Sequence, residues 1–186
     1  MDLMAGITGF LKKHSNKISP KSLMYAKYIE YIENIQSIIE MIKTDGIDSI
    51  IKASEVFKDA LMHGKKLFLF GTGHSHMLAE ELFYRAGGLV QIRPVLCEPL
   101  MLHESASEST VIERKEGLAE SLFDEYSMDR NDVIVIISNS GRNGVIVDMA
   151  LLCKERGLKV VALTNMNHTM NGASRHKSGK RLFEIP

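Results

Sequence analysis

The stretch Val133–Gly144, VIVIISNSGRNG, restricts what this chain can fold into more than any other. Consecutive apolar residues from Val133 to Ile137, rich in β-branched side chains, read as a strand buried on both faces. The run stops at Ser138-Asn139-Ser140-Gly141, and helical periodicity follows from about Asn143 to Arg156. A strand that passes through small hydroxyl residues and glycine into a helix aims backbone N–H groups, hydroxyls and the positive helix end at one point. That point suits a phosphate. The arrangement recurs upstream, with a strand at Leu67–Phe70, a turn at Gly71-Thr72-Gly73-His74-Ser75 and a helix to about Arg85. Two such turns would converge on one ligand.

Strands alternate with helices around these units. Strand two is expected at about Val90–Leu96, strand four at Lys159–Thr164 and strand five at Leu182–Ile185. A polar loop, Glu98–Thr110, precedes a helix expected over Val111–Tyr126, with Ile112, Leu118, Leu122 and Phe123 as its apolar stripe. This alternation predicts an α/β fold, a parallel sheet with right-handed crossovers and helices on both faces. Ligands of such sheets lie beyond the carboxyl ends of the strands, where both Ser- and Gly-rich turns fall.

The chain has 186 residues, enough for one α/β domain with a real core. Lys plus Arg and Asp plus Glu both number 23, so no charge bias favours nucleic acid or a membrane surface, and any bound anion must be held locally. Cys97 and Cys153 fit neither a disulfide framework nor a paired metal motif, which favours a reducing cytoplasm. No apolar run approaches the roughly 18 residues of a membrane span. Residues 1–19 place an apolar stretch before basic residues, the reverse of a secretory signal, and read as an unstructured extension.

Ser19 and Pro20 suit a helix start, and Leu23, Ile29, Ile32, Ile35, Ile38, Ile39 and Ile42 recur at helical spacing to Lys43. Residues 20–46 are therefore expected to form a helix that packs on its own sheet, makes a dimer contact, or does both, followed by a domain over 47–186. A strand ending at Ile185-Pro186 would leave one sheet face without a covering helix. The expectation is a chain shortened at that end, with an exposed apolar patch.

GTGHS after the first strand, ISNSGRNG after the third and VVALTN at the fourth resemble the sugar isomerase domain of phosphosugar isomerases and phosphosugar-binding regulators. The resemblance covers about Ile47–Pro186 and is nearest to the phosphoheptose isomerase and etherase branch. It implies a three-layer, flavodoxin-like α/β/α fold with a five-stranded parallel sheet in the order 2-1-3-4-5. It also implies a sugar phosphate ligand and a homodimer or homotetramer with active sites at subunit contacts. By the same resemblance, Gly73, His74 and Ser75 hold the sugar or phosphate, Ser138, Asn139 and Ser140 cradle the phosphate, and Asn143 and Thr164 line the pocket.

Isomerisation of an aldose to a ketose moves a proton between neighbouring carbons and needs a base. Glu98, just past strand two, and His103 and Glu104 in the following loop are the catalytic candidates. Phosphoheptose isomerases carry a metal-binding His and Glu on the first helix, and those places hold Glu81 and Arg85 here. The reading therefore assigns no metal and no cofactor. A dinucleotide site is disfavoured because His76 stands where the third glycine of that fingerprint belongs. His168 and His176 are read as part of a polar loop. The alternative to an enzyme is a phosphosugar sensor or protein-interaction adaptor of the same fold.

Overall fold

The structure is a computed structural model describing residues 20–186. The extension expected over residues 1–19 lies outside the described residues. The described chain divides into two compact units, one ending at Ile51 and one spanning Lys52–Pro186.

In the first unit, helix α1 spans Pro20–Thr44. Asp45 and Gly46 close it by donating their N–H groups to the Met41 carbonyl; α2 follows at Ile47–Met62, and its residues from Lys52 onward belong to the second unit. Tyr28, Tyr31, Ile35, Ile38 and Ile42 are all exposed along α1.

The second unit is built on a parallel four-stranded sheet in the order β2-β1-β3-β4. Its strands are β1 (Leu67–Gly71), β2 (Ile92–Val95), β3 (Val133–Ile137) and β4 (Lys159–Leu163). Register pairs Phe68 with Ile134 and Val135 with Val161. The period of two sorts the side chains to opposite faces. Phe68, Phe70, Ile134 and Ile136 pack with Leu122 and Phe123 of α5 (Leu118–Glu125) and with Ile146 and Met149 of α6 (Gly144–Glu155). Leu67, Leu69, Val133 and Ile137 pack with Ala60 of α2 and with Ala79 of α3 (Met77–Leu82). Both faces of β1 and β3 are thus covered, which is why their sequences are nearly unbroken apolar runs.

Two expectations are corrected. The fifth strand is absent from the sheet: Leu182–Glu184 forms a single 3-10 turn, whose Leu182 N–H donates to the Gly141 carbonyl at 2.8 Å. Leu182 and Ile185 are buried in the core, so their apolar character reflects packing rather than strand pairing. The helix expected over Val111–Tyr126 is two helices, α4 (Ala106–Ile112) and α5, separated where Gly117 adopts φ 93°. Ser105 sets the earlier start by accepting the Glu108 N–H at 3.4 Å. Helix α7 (Met166–Met170) follows β4.

Candidate functional site

Strand order reverses between β1 and β3, because β1 leads to β2 on one side and β3 lies on the other. The carboxyl ends of these central strands flank the crevice where such sheets bind ligands. A cavity of about 270 Å³ lies there, walled by both corners and by α4.

The first corner depends on glycine. A Cβ on Gly71 would lie 2.7 Å from the Ser75 carbonyl carbon, so only glycine lets the 3-10 turn Gly73–His76 fold back onto the strand end. Thr72, Gly73, His74 and Ser75 line the cavity. His76 is buried and turned away into local structure, its Nδ1 against the Gly73 carbonyl and its Nε2 3.0 Å from Glu80.

At the second corner, the buried Ser138 hydroxyl accepts the Gly141 N–H at 3.0 Å and tightens the turn. Ser138, Asn139, Ser140 and Asn143 all line the cavity. Asn139 Nδ2 lies 2.8 Å from His168 Nδ1, bringing the imidazole of α7 into the wall. Asn143 occupies the N-cap of α6 yet makes no side-chain cap; its Oδ1 accepts instead from Arg175 Nη1 at 2.6 Å.

Helix α4 supplies the third wall through Ser109, Thr110 and Glu113, with Leu102 from the loop before it. Ser109 is fixed by donating to the Leu100 carbonyl at 2.9 Å. Glu113 Oε2 accepts from Thr72 Oγ1 at 3.0 Å, and the Glu113 carbonyl accepts the Val145 N–H at 3.2 Å. A Cβ on Gly144 would lie 2.6 Å from the Arg114 carbonyl oxygen and 2.7 Å from that of Lys115. The bare glycine therefore lets the Glu113 segment dock on the start of α6.

Of the positions expected from sequence, Gly73, His74, Ser75, Ser138, Asn139, Ser140 and Asn143 come together at this cavity. Thr164 stands behind the second corner, 3.4 Å from the Asn139 carbonyl, and is not part of the wall. Glu98 is exposed at the start of the 3-10 turn Glu98–Leu100, whose Leu100 is buried, and is not among the cavity-lining residues. His103 and Glu104 are exposed and 3.6 Å apart, one and two positions beyond the lining residue Leu102. Glu113 is the carboxylate among the lining residues, and sequence reasoning missed it. The signal was present: Ser105 followed three residues later by Glu108 marks a helix start, which puts Ser109 and Glu113 on one face.

Among the described lining residues there is no Lys or Arg, so an anion here would rely on hydroxyls, backbone N–H groups, imidazoles and the α6 terminus. Burial pushes the Cys153 thiol up to about 12, which removes it as a nucleophile.

Residues 30–165 match the SIS domain family over more than half of the chain. The chain belongs to the SIS domain family. It is 48% identical over 136 residues to a UPF0309 protein of Halalkalibacterium halodurans, a match covering 73% of this chain and 56% of that one. A UPF0309 protein of Geobacillus kaustophilus is 42% identical over 147 residues, covering 79% and 59%. The chain thus spans a little over half the length of these curated relatives. Among solved structures it resembles the phosphoheptose isomerase of Neisseria gonorrhoeae, with TM-score 0.52 and 21% identity over 85% of this chain and 83% of that one. The phosphoheptose isomerase of Francisella tularensis gives 0.52 and 20%, over 82% of each. At such identity the likeness shows a shared fold.

Glu81 of α3 and Arg85 just beyond it are exposed and ion-paired with each other. Among the described residues no group of three or more His, Cys, Asp or Glu side chains is arranged to hold a metal ion. No described helix is long and apolar enough to cross a membrane.

Proposed function

We propose that the SIS domain binds a sugar phosphate in this cavity and acts on it as an aldose–ketose isomerase or related phosphosugar lyase. The observation that carries the reading is the convergence of both corners, with hydroxyls on each, and one carboxylate on a single cavity. The phosphate would sit against Ser75, Ser138, Ser140 and the start of α6. The sugar would extend toward Ser109, Thr110 and Glu113. Glu113, oriented by Thr72, is then the group placed to take a proton from a sugar carbon, with the His168 imidazole in the same wall placed to meet a sugar oxygen.

A non-catalytic sensor or adaptor is the second reading, favoured by the exposed positions of Glu98, His103 and Glu104 outside the cavity wall. The exposed apolar residues of α1 support a homodimer or homotetramer, which sedimentation equilibrium tests: a monomer at micromolar concentration contradicts it. The free Cys97 and Cys153 support a cytoplasmic setting.

The first experiment is a thermal-shift panel of sugar phosphates and unphosphorylated sugars. A ligand at a hundredfold excess over its dissociation constant stabilises the fold by about 2.7 kcal/mol, an easily seen shift. Ser140→Glu is expected to abolish that shift by charge repulsion and lost space. A panel in which no sugar phosphate raises the melting temperature contradicts both readings of the ligand.

A further inference from the structure

The segment Ser174–Arg181, SRHKSGKR, is the strongest cationic run in the described chain that the proposed function leaves unused. It lies against the second corner and the loop that follows α4. The Arg175 N–H donates to the Arg142 carbonyl at 2.9 Å, and its guanidinium Nη1 donates to Asn143 Oδ1 at 2.6 Å. Two residues on, the Lys177 N–H donates to Glu116 Oε1 at 2.7 Å and its ammonium lies 3.0 Å from Oε2. Glu116 belongs to the loop that carries Glu113, so one segment ties the phosphate loop and the carboxylate loop together.

The Arg175 contact has a chemical consequence. A guanidinium only donates, so the Asn143 atom facing it must be the carbonyl oxygen, which fixes an amide orientation that is otherwise ambiguous. Asn143 is buried and lines the cavity, and with Oδ1 engaged the group it has left to offer is Nδ2, a donor. An asparagine at a helix N-cap ordinarily turns its oxygen onto the N–H groups of the first turn. Here that cap is missing, because Arg175 holds the oxygen.

We propose that Arg175 is a positioning residue of the anion site: by holding Asn143 Oδ1 it aims the Asn143 amide N–H₂ into the cavity and withholds the side-chain cap from α6. Arg175 does not line the cavity, so it acts through Asn143 rather than on the ligand. Without it, the Asn143 oxygen is free to turn onto the helix start, consuming an N–H that the anion would use and moving the amide N–H₂ off its aim. The proposal rests on the phosphosugar reading of the cavity.

The test measures dissociation constants for inorganic phosphate and glucose 6-phosphate by calorimetry, in wild type, Arg175→Met, Arg175→Lys, Asn143→Ala and the Arg175→Met/Asn143→Ala double variant. Losing a donor to a charged ligand weakens binding about tenfold to a hundredfold. Arg175→Met and Asn143→Ala are each expected to show such a loss, Arg175→Lys to recover part of it, and the double variant to be no weaker than Asn143→Ala alone. The Asn143 side-chain amide resonance is expected to move on adding phosphate in wild type and to stay still in Arg175→Met, a readout that a purely structural role leaves unchanged. Wild-type affinity in Arg175→Met, or losses that add in the double variant, overturns the positioning role while leaving the phosphosugar site intact. A wild-type protein that binds neither probe overturns both.

Discussion

Glu113 shows how a residue acquires a role from placement alone. Its carboxylate reaches the cavity because α4 ends there and Thr72 holds one of its oxygens. Replacement by Gln keeps the size and removes the base. Glu113→Gln is expected to lower turnover of the substrate identified by the panel about 10²- to 10⁴-fold, while its dissociation constant changes little. Steady-state rates beside calorimetry check this, and unchanged turnover would assign the proton transfer elsewhere. Ser75, Ser138 and Ser140 were legible in sequence because a strand-end position follows directly from the hydrophobic run before it. Glu113 had a helix-start signal in Ser105 and Glu108, but its arrival at the cavity, like that of His168, depends on where α4 and α7 come to rest. Glu98 attracted notice as the first acid after β2, yet it is exposed at the start of a 3-10 turn and is not among the cavity-lining residues.

At the scale of elements, the parallel sheet and its central strands could be read because β1 and β3 are buried on both faces. The terminal Leu182-Phe183-Glu184-Ile185 could not: an apolar pair spaced three apart is equally a strand fragment and a turn laid on the core, and packing decided for the turn. The α4–α5 break was likewise hidden inside a continuous apolar stripe. Docking of that break on α6 makes a sharp prediction. Gly144→Ala puts a methyl group against the Arg114 and Lys115 carbonyls and forces the Glu113 segment outward. Urea denaturation is expected to show a loss of about 1–3 kcal/mol, accompanied by weaker sugar phosphate binding. Full stability with full affinity would show that the segment shifts freely.

At the scale of the whole fold, the Lys177–Glu116 ion pair fastens stretches 61 residues apart, and Arg181–Glu184 closes the last turn. The Lys177 backbone N–H and ammonium hold the Glu116 carboxyl below its usual range, and Arg181 does the same to Glu184. Each folded-state value lies below the unfolded one, so the stabilisation is present in full above about pH 4.5 and is lost as pH falls through the lowered values. Lys177 is raised by Glu116, so its share persists below about pH 10.5 and fades as pH rises through the raised value. The melting-temperature gap between wild type and Glu116→Gln is therefore expected to be steady near neutrality and to close on acidification below pH 4.5. A gap independent of pH would mean that the Glu116 contacts act through packing and not charge.

The central claim is that the corners after β1 and β3 form one anion site. An amide-resolved NMR titration with a sugar phosphate tests it most directly. Resonances of Gly73–His76 and of Ser138–Gly144 are predicted to move together along one binding curve with a shared dissociation constant. Movement of one corner alone, or two curves with different constants, would contradict it.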